Sequence, residues 1–136
     1  MKLAASVLAL SLISGAALAQ TKDFAPMGST PANNFTVSNY YKQDVYDRSD
    51  NKIGTVEDVL IDKTGKVTAL MISVGGFLGM GEKTVASQFP AVQMTKKNDK
   101  WYLQMDASKD ALKSAPGFKY DRTATTWVRD TNTRTN

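Results

Sequence analysis

Carboxylates are the side chains whose type and spacing could support chemistry in this sequence, because it contains neither histidine nor cysteine. Glu57, Asp58 and Asp62 lie close together in one segment. A hydrolase of the paired-acid kind needs two carboxyl groups that face each other. Side chains alternate between the two faces of a strand, which turns Glu57 away from the other two acids. The spacing therefore argues against such a hydrolase.

Asp58 is the acid that this alternation turns inward, onto the face of Val56 and Leu60. A buried carboxylate must be hydrogen-bonded or paired with a charge. Backbone N–H groups of a neighbouring turn are its ordinary partners. We therefore predict that Asp58 is a structural carboxylate.

Other reactive sites lack essential parts. Asp44, Asp47 and Asp50 carry calcium-ligand side chains, but they lack the alternating oxygen ligands, central glycine and final glutamate of a calcium loop, so we predict a solvated turn. A serine nucleophile needs an activating base, and imidazole is absent from the chain. We predict no catalytic residue, no metal site and no cofactor, and hence a protein that is not an enzyme.

A glycine-rich loop is the most informative segment. It consists of Gly75, Gly76, Phe77, Leu78, Gly79, Met80 and Gly81. It is not a phosphate-binding loop, because the Gly-Lys-Ser/Thr sequence is missing and its large apolar side chains would face the anion. Two interpretations stay open. The loop is either a structural plug folded over one end of the domain or an exposed apolar tip that contacts a partner.

Extended segments with a period of two must position these residues. Strands are predicted at residues 45–47, 52–54, 55–62, 67–74, 85–94 with a break at Pro90, and 101–105. Trp101, Leu103 and Met105 share one face, and the turn before them is at Asn98 and Asp99. One short helix begins after Ser108 as N-cap and ends before Pro116. The pattern predicts a mainly all-β fold, a small barrel with one short C-terminal helix.

The ends of the chain are expected to lie outside this fold. Residues 1–19 resemble a secretory signal peptide, with Lys2, an apolar run and cleavage after Ala19, which predicts a periplasmic or secreted protein. The apolar run is shorter than a membrane span, which argues against an uncleaved membrane anchor. No membrane span is expected in the chain after cleavage. Residues 20–36 are expected to form a flexible leader and 122–136 a loose polar tail, in which Trp127 and Val128 can dock.

The charge of the chain gives little reason to expect nucleic acid as a partner. The formal net charge is +4 and the pI is about 9.3, but the charges are interspersed without a block of like sign. The densest basic segment, residues 96–100, precedes Trp101 and is interpreted as a polar hairpin tip. Nucleic-acid binding is therefore not expected.

Several segments together resemble the PRC-barrel domain family. They are residues 53–62, 65–67, 74–83 and 112–120, so the resemblance covers about 37–121. It implies a compact β-barrel that docks to other macromolecules and has no catalytic residues in common. In the family an aromatic residue near Val85 usually follows a Val-Pro pair, whereas here Pro90 follows Phe89.

The sequence therefore predicts an exported, non-catalytic module that binds another macromolecule, with an envelope protein as the expected partner. The loop at residues 75–81 would supply the contact. An alternative is a small-ligand or metal binder at the mouth of the barrel, acting in envelope stress. A homodimer is also open, because an exposed edge strand can pair two copies.

Overall fold

The computed structural model describes residues 23–75 and 81–132. The predicted signal peptide at 1–19 and the loop residues 76–80 lie outside the described residues. Residues 23–32 belong to one unit and contain no helix or strand. The described part of the second unit has the elements β1 (Asp44–Tyr46), β2 (Lys52–Ile61), β3 (Val67–Val74), β4 (Lys83–Gln88), β5 (Val92–Lys97), β6 (Lys100–Met105), α1 (Lys109–Ser114), β7 (Gly117–Asp121) and β8 (Thr126–Arg129).

The strands form one sheet, which confirms the mainly β fold with a single short α-helix in the described part of the chain. Their order is β5-β6-β1-β2-β3-β4-β7-β8. All neighbours are antiparallel except β1 and β6, which are parallel. The turn predicted at Asn98 and Asp99 is confirmed, and both residues have the positive φ of a tight hairpin turn, 49° and 61°.

The sheet of the predicted small barrel is not closed by hydrogen bonds, because β5 and β8 are its two edges. β7 pairs with the edge of β4 that a closed barrel would offer to β5. The chain itself joins β4 to β5 through a 3-10 turn at Phe89–Ala91. Pro90 in that turn has no N–H group to donate to a ladder.

The hydrophobic core lies on one face of the sheet formed by β1 to β6. Leu112 of α1 also belongs to it. Its buried side chains are Tyr40, Val45, Ile53, Val56, Leu70, Ile72, Val74, Val85, Val92, Leu103, Met105 and Leu112. Burial of such apolar side chains supplies most of the driving force for folding. Trp101 extends past this core and is 51% exposed, although it lies two residues before Leu103 on the same strand.

α1 is fixed at both ends. The Ser108 hydroxyl accepts a hydrogen bond from the Ala111 N–H at 3.0 Å, which confirms the predicted N-cap. At the other end, the Lys83 ammonium donates to the carbonyls of Lys113 and Ala115, the second at 2.7 Å. The last carbonyls of a helix have no partner within the helix, so Lys83 ties α1 to β4. Within the described ranges, no helix is long and apolar enough to cross a membrane.

The segment expected to be a loose polar tail contains β8 at residues 126–129, which includes Trp127 and Val128, the two residues for which docking was left open. β8 pairs with β7, where Tyr120 lies opposite Trp127 and the two rings meet edge to face at 5.8 Å. The Asp121 carboxylate accepts hydrogen bonds from the N–H groups of Thr123 and Ala124 and closes the turn. The polar composition of the segment concealed this local hairpin.

Candidate functional site

Asp58 lies on the face of the sheet opposite the core. The β2–β3 ladder pairs Val56 with Ile72 and then Asp58 with Met71, so its register shifts at Glu57. Ladder partners share a face, and successive residues of β3 alternate between faces. The prediction that Asp58 shares the face of Val56 was therefore wrong, because an irregularity in a strand breaks the period of two.

The Asp58 carboxylate is held by two hydrogen bonds. One oxygen accepts from the Val59 N–H and the other from the Trp127 indole N–H, both at 2.8 Å. Neighbouring strands lie about 4.8 Å apart, so a flat sheet would separate β2 from β8 by roughly 19 Å, beyond the reach of these side chains. The sheet therefore curves and carries β8 over the outer face of β2. The predicted partners of Asp58 were backbone N–H groups of a turn, and the Trp127 indole was not predicted.

One described end of the glycine-rich loop, Gly75, lines a cleft. Gly75 and Gly81 have φ values of +71° and +81°, which glycine adopts without strain. Next to Gly81, the Glu82 carboxylate accepts a hydrogen bond from the Ser73 hydroxyl. The predicted contact residues between the two glycines, Gly76, Phe77, Leu78, Gly79 and Met80, lie outside the described residues.

The cleft has a volume of about 530 Å³ and separates α1 from the beginning of β2. Its lining residues are Lys52, Ile53, Gly54, Thr55, Ser73, Gly75, Glu82, Lys109 and Lys113. Lys109 and Lys113 are four residues apart on α1 and therefore lie on one face of the helix. A ligand site at the barrel mouth was predicted from the sequence only as an alternative, and no lysine was predicted to line it.

An aromatic patch, defined here as Phe35 and Trp101, is exposed on the second unit. The rings meet edge to face with centroids 5.2 Å apart, and their residues are 47% and 51% exposed. The Lys96 ammonium lies 5.7 Å from the centre of the Trp101 ring, within cation–π range. The patch was not predicted from the sequence, because Phe35 lies in the expected leader and Trp101 shares its strand with the core residues Leu103 and Met105.

The aspartates considered as calcium ligands organise a turn. The Asp47 carboxylate accepts hydrogen bonds from the N–H groups of Asn51 and Ser49 at 2.9 and 2.8 Å. These bonds lower the pKa of Asp47, and the bond from the Asn51 N–H has the largest effect. Asp50 pairs with Lys97 at 2.6 Å, and Asp44 with Lys52 at 3.0 Å. Among residues 23–75 and 81–132, no group of three or more acidic side chains could hold a metal ion.

The sequence pattern matches a known domain over the strands that enclose the core. The model of the PRC-barrel domain family matches residues 32–112, more than half of the chain. The chain belongs to the PRC-barrel domain family. The match begins before the aromatic patch and ends in α1, so β7 and β8 are additions to the matched part of this PRC-barrel protein. No curated protein matches the sequence.

Proposed function

We propose that this PRC-barrel protein is an exported, non-catalytic module that docks on a protein of the cell envelope. The observation that carries the proposal is the aromatic patch, in which two large rings stay half exposed while they support each other. Exposed aromatic side chains at such positions are typical of protein interfaces, where tryptophan is enriched among the residues that dominate binding.

The chemistry beside the patch favours a partner with acidic groups near its contact surface. The Lys96 ammonium lies over the Trp101 ring, and its nitrogen is 3.9 Å from a carboxylate oxygen of the exposed Asp99. Such an exposed ion pair is weak, so an acidic side chain of the partner can compete for the ammonium group.

Export is part of the proposal and rests on the resemblance of residues 1–19 to a signal peptide. The loop at residues 75–81 is proposed as a second contact.

The test is in-cell crosslinking and pull-down with the full chain. We expect Phe35→Ser/Trp101→Ser to lower recovery of the envelope partner by about tenfold or more, as loss of dominant interface residues does. Ile61→Ser is the matched control, because Ile61 is also about half exposed, at 56%, and lies at the end of β2. Recovery should stay unchanged in this control.

The loop is tested separately with Phe77→Ser/Leu78→Ser. Reduced recovery would support the loop as a second contact, whereas unchanged recovery would remove it from the proposal. If the aromatic-patch variant folds and recovers its partner at the wild-type level, docking through Phe35 and Trp101 is wrong.

A small-ligand binder is the second candidate function. It is favoured by the cleft of about 530 Å³, because small-molecule sites usually occupy concavities of about 300–1,000 Å³. The lysines and the glutamate of its lining favour a polar ligand over a metal ion, since ammonium groups do not coordinate metals.

A further inference from the structure

We propose that the cleft between α1 and β2 binds a small organic oxyanion, with Lys109 and Lys113 as its ligands for the anionic group. The inference rests on the second candidate function and names the class of ligand for that cleft. It is independent of protein docking through the aromatic patch.

The charges of the cleft favour an anion. Three lysines and one glutamate line it. Lys52 is paired with Asp44 at 3.0 Å, whereas no ion pair involves Lys109 or Lys113 within the part of the chain that the structure describes. Like charges four residues apart repel each other on a helix. An oxyanion between the two ammonium groups would remove that repulsion and form charge-assisted hydrogen bonds.

The protein positions Lys113 beside the cleft. A Cβ atom at Gly75 would lie 3.0 Å from Cε of Lys113, so the absence of a side chain at Gly75 leaves room for the lysine stem. The backbone carbonyl of Lys113 accepts a hydrogen bond from Lys83. The stem of Lys113 therefore lies against Gly75, and the helix end is bonded to Lys83 of β4. Such contacts lower the entropy that the side chain loses when it binds a ligand.

Glu82 narrows the class of ligand. Its carboxylate lies in the same lining and accepts a hydrogen bond from the Ser73 hydroxyl. A carboxylate repels a simple anion but accepts hydrogen bonds from hydroxyl groups. The ligand should therefore carry an oxyanion at one end and a hydroxyl donor at the other. Phosphate and carboxylate groups share this chemistry, so a sugar phosphate and a hydroxy acid are both suitable probes.

The experiment is a titration of the full chain with glucose 6-phosphate and with citrate, followed by calorimetry and native mass spectrometry. It is performed at about 20 mM salt, where charges are weakly screened, and repeated at about 300 mM. The test variant is Lys109→Gln/Lys113→Gln. The matched control is Lys63→Gln/Lys66→Gln, which removes the same charge from exposed residues outside the cleft lining.

We expect saturable binding of at least one probe that weakens with salt. Affinity for the probe should fall by about tenfold or more in Lys109→Gln/Lys113→Gln, because each lysine ammonium that is removed takes away a charge-assisted hydrogen bond to the anion. It should stay within about twofold in the control. Preference for one probe would identify the anionic group as phosphate or carboxylate. Both variants should keep the wild-type circular dichroism spectrum, since the lysines lie on the surface.

Three results would overturn the inference. They are no binding of either probe to the wild-type protein, an equal loss of affinity in both double variants, and a native mass spectrum that shows only a neutral ligand. The last result would keep the second candidate function while excluding an anion. Absence of any bound mass, together with no response to either probe, would exclude both.

Discussion

Asp58 and Trp127 show how single residues connect distant parts of this protein. They are 69 positions apart in sequence and share a hydrogen bond of 2.8 Å. Both are partly shielded from solvent. A polar group that loses its partner in such a place costs more free energy than an exposed one, since water cannot fully replace the bond. The pair therefore holds β8 against β2.

A double-mutant cycle of Trp127→Phe and Asp58→Ala tests this pair. We expect Trp127→Phe to lower the free energy of unfolding by about 1.5–3 kcal/mol, the usual cost of a lost hydrogen bond to a charged group. The coupling between the two substitutions should be about 1 kcal/mol. Urea denaturation measures all four proteins. Strictly additive effects would show that the bond contributes no stability.

At the scale of elements, the close approach of β2 and β3 at Gly54 requires a residue without a side chain. An added Cβ atom at Gly54 would lie 2.6 Å from Cγ2 of Ile72 and 2.7 Å from the carbonyl oxygen of Ser73. Ile72 is fully buried and the second atom belongs to the backbone, so neither can move aside at low cost. The glycine is needed for contact between strands and not for a turn.

Gly54→Ala is therefore expected to lower the free energy of unfolding by about 2–3 kcal/mol through overpacking. Gly28→Ala is the matched control, because no atom lies within 4 Å of the Cβ position there. Chemical denaturation of both variants measures the difference. An effect of Gly54→Ala as small as that of the control would contradict the proposed steric role.

At the scale of the whole molecule, carboxylates that close turns are expected to contribute to the dependence of stability on pH. Hydrogen bonds lower the pKa of three aspartates below the ordinary value of 3.8. The donors with the largest effect on the pKa are the Asn51 N–H for Asp47, the Thr64 hydroxyl for Asp62 and the Ala124 N–H for Asp121. A lowered pKa in the folded state adds stability above the unfolded pKa, and this stability is lost as the pH falls.

The free energy of unfolding should therefore vary little between about pH 5 and 8, because the chain has no histidine. It should fall below about pH 4, where the carboxylates become protonated. The variant Asp47→Asn/Asp62→Asn/Asp121→Asn should show a shallower acid decrease than wild type, as measured by denaturation at several pH values. Asp99→Asn, a fully exposed control, should retain the wild-type profile. An unchanged acid decrease in the triple variant would contradict this assignment.

Local sequence signals predicted most elements of the fold but few residues of the candidate sites. Ser108 marked the start of the helix, and Asn98 with Asp99 marked a tight turn, because capping and turn geometry depend on neighbouring residues. The aromatic patch was not predicted, since Phe35 and Trp101 are 66 positions apart and neither carries a local signal. The cleft lysines were missed for the same reason.

The amino-acid pattern alone determined the extended segments of β1 to β6, the helix and the family, because periodicity, caps and turns act over a few residues. Only the tertiary structure decided the edges of the sheet, the face of Asp58 and the docking of β8. These features depend on one register shift and on the curvature of the sheet. Both arise when distant strands pack together, where a shift of one residue exchanges the faces of a strand.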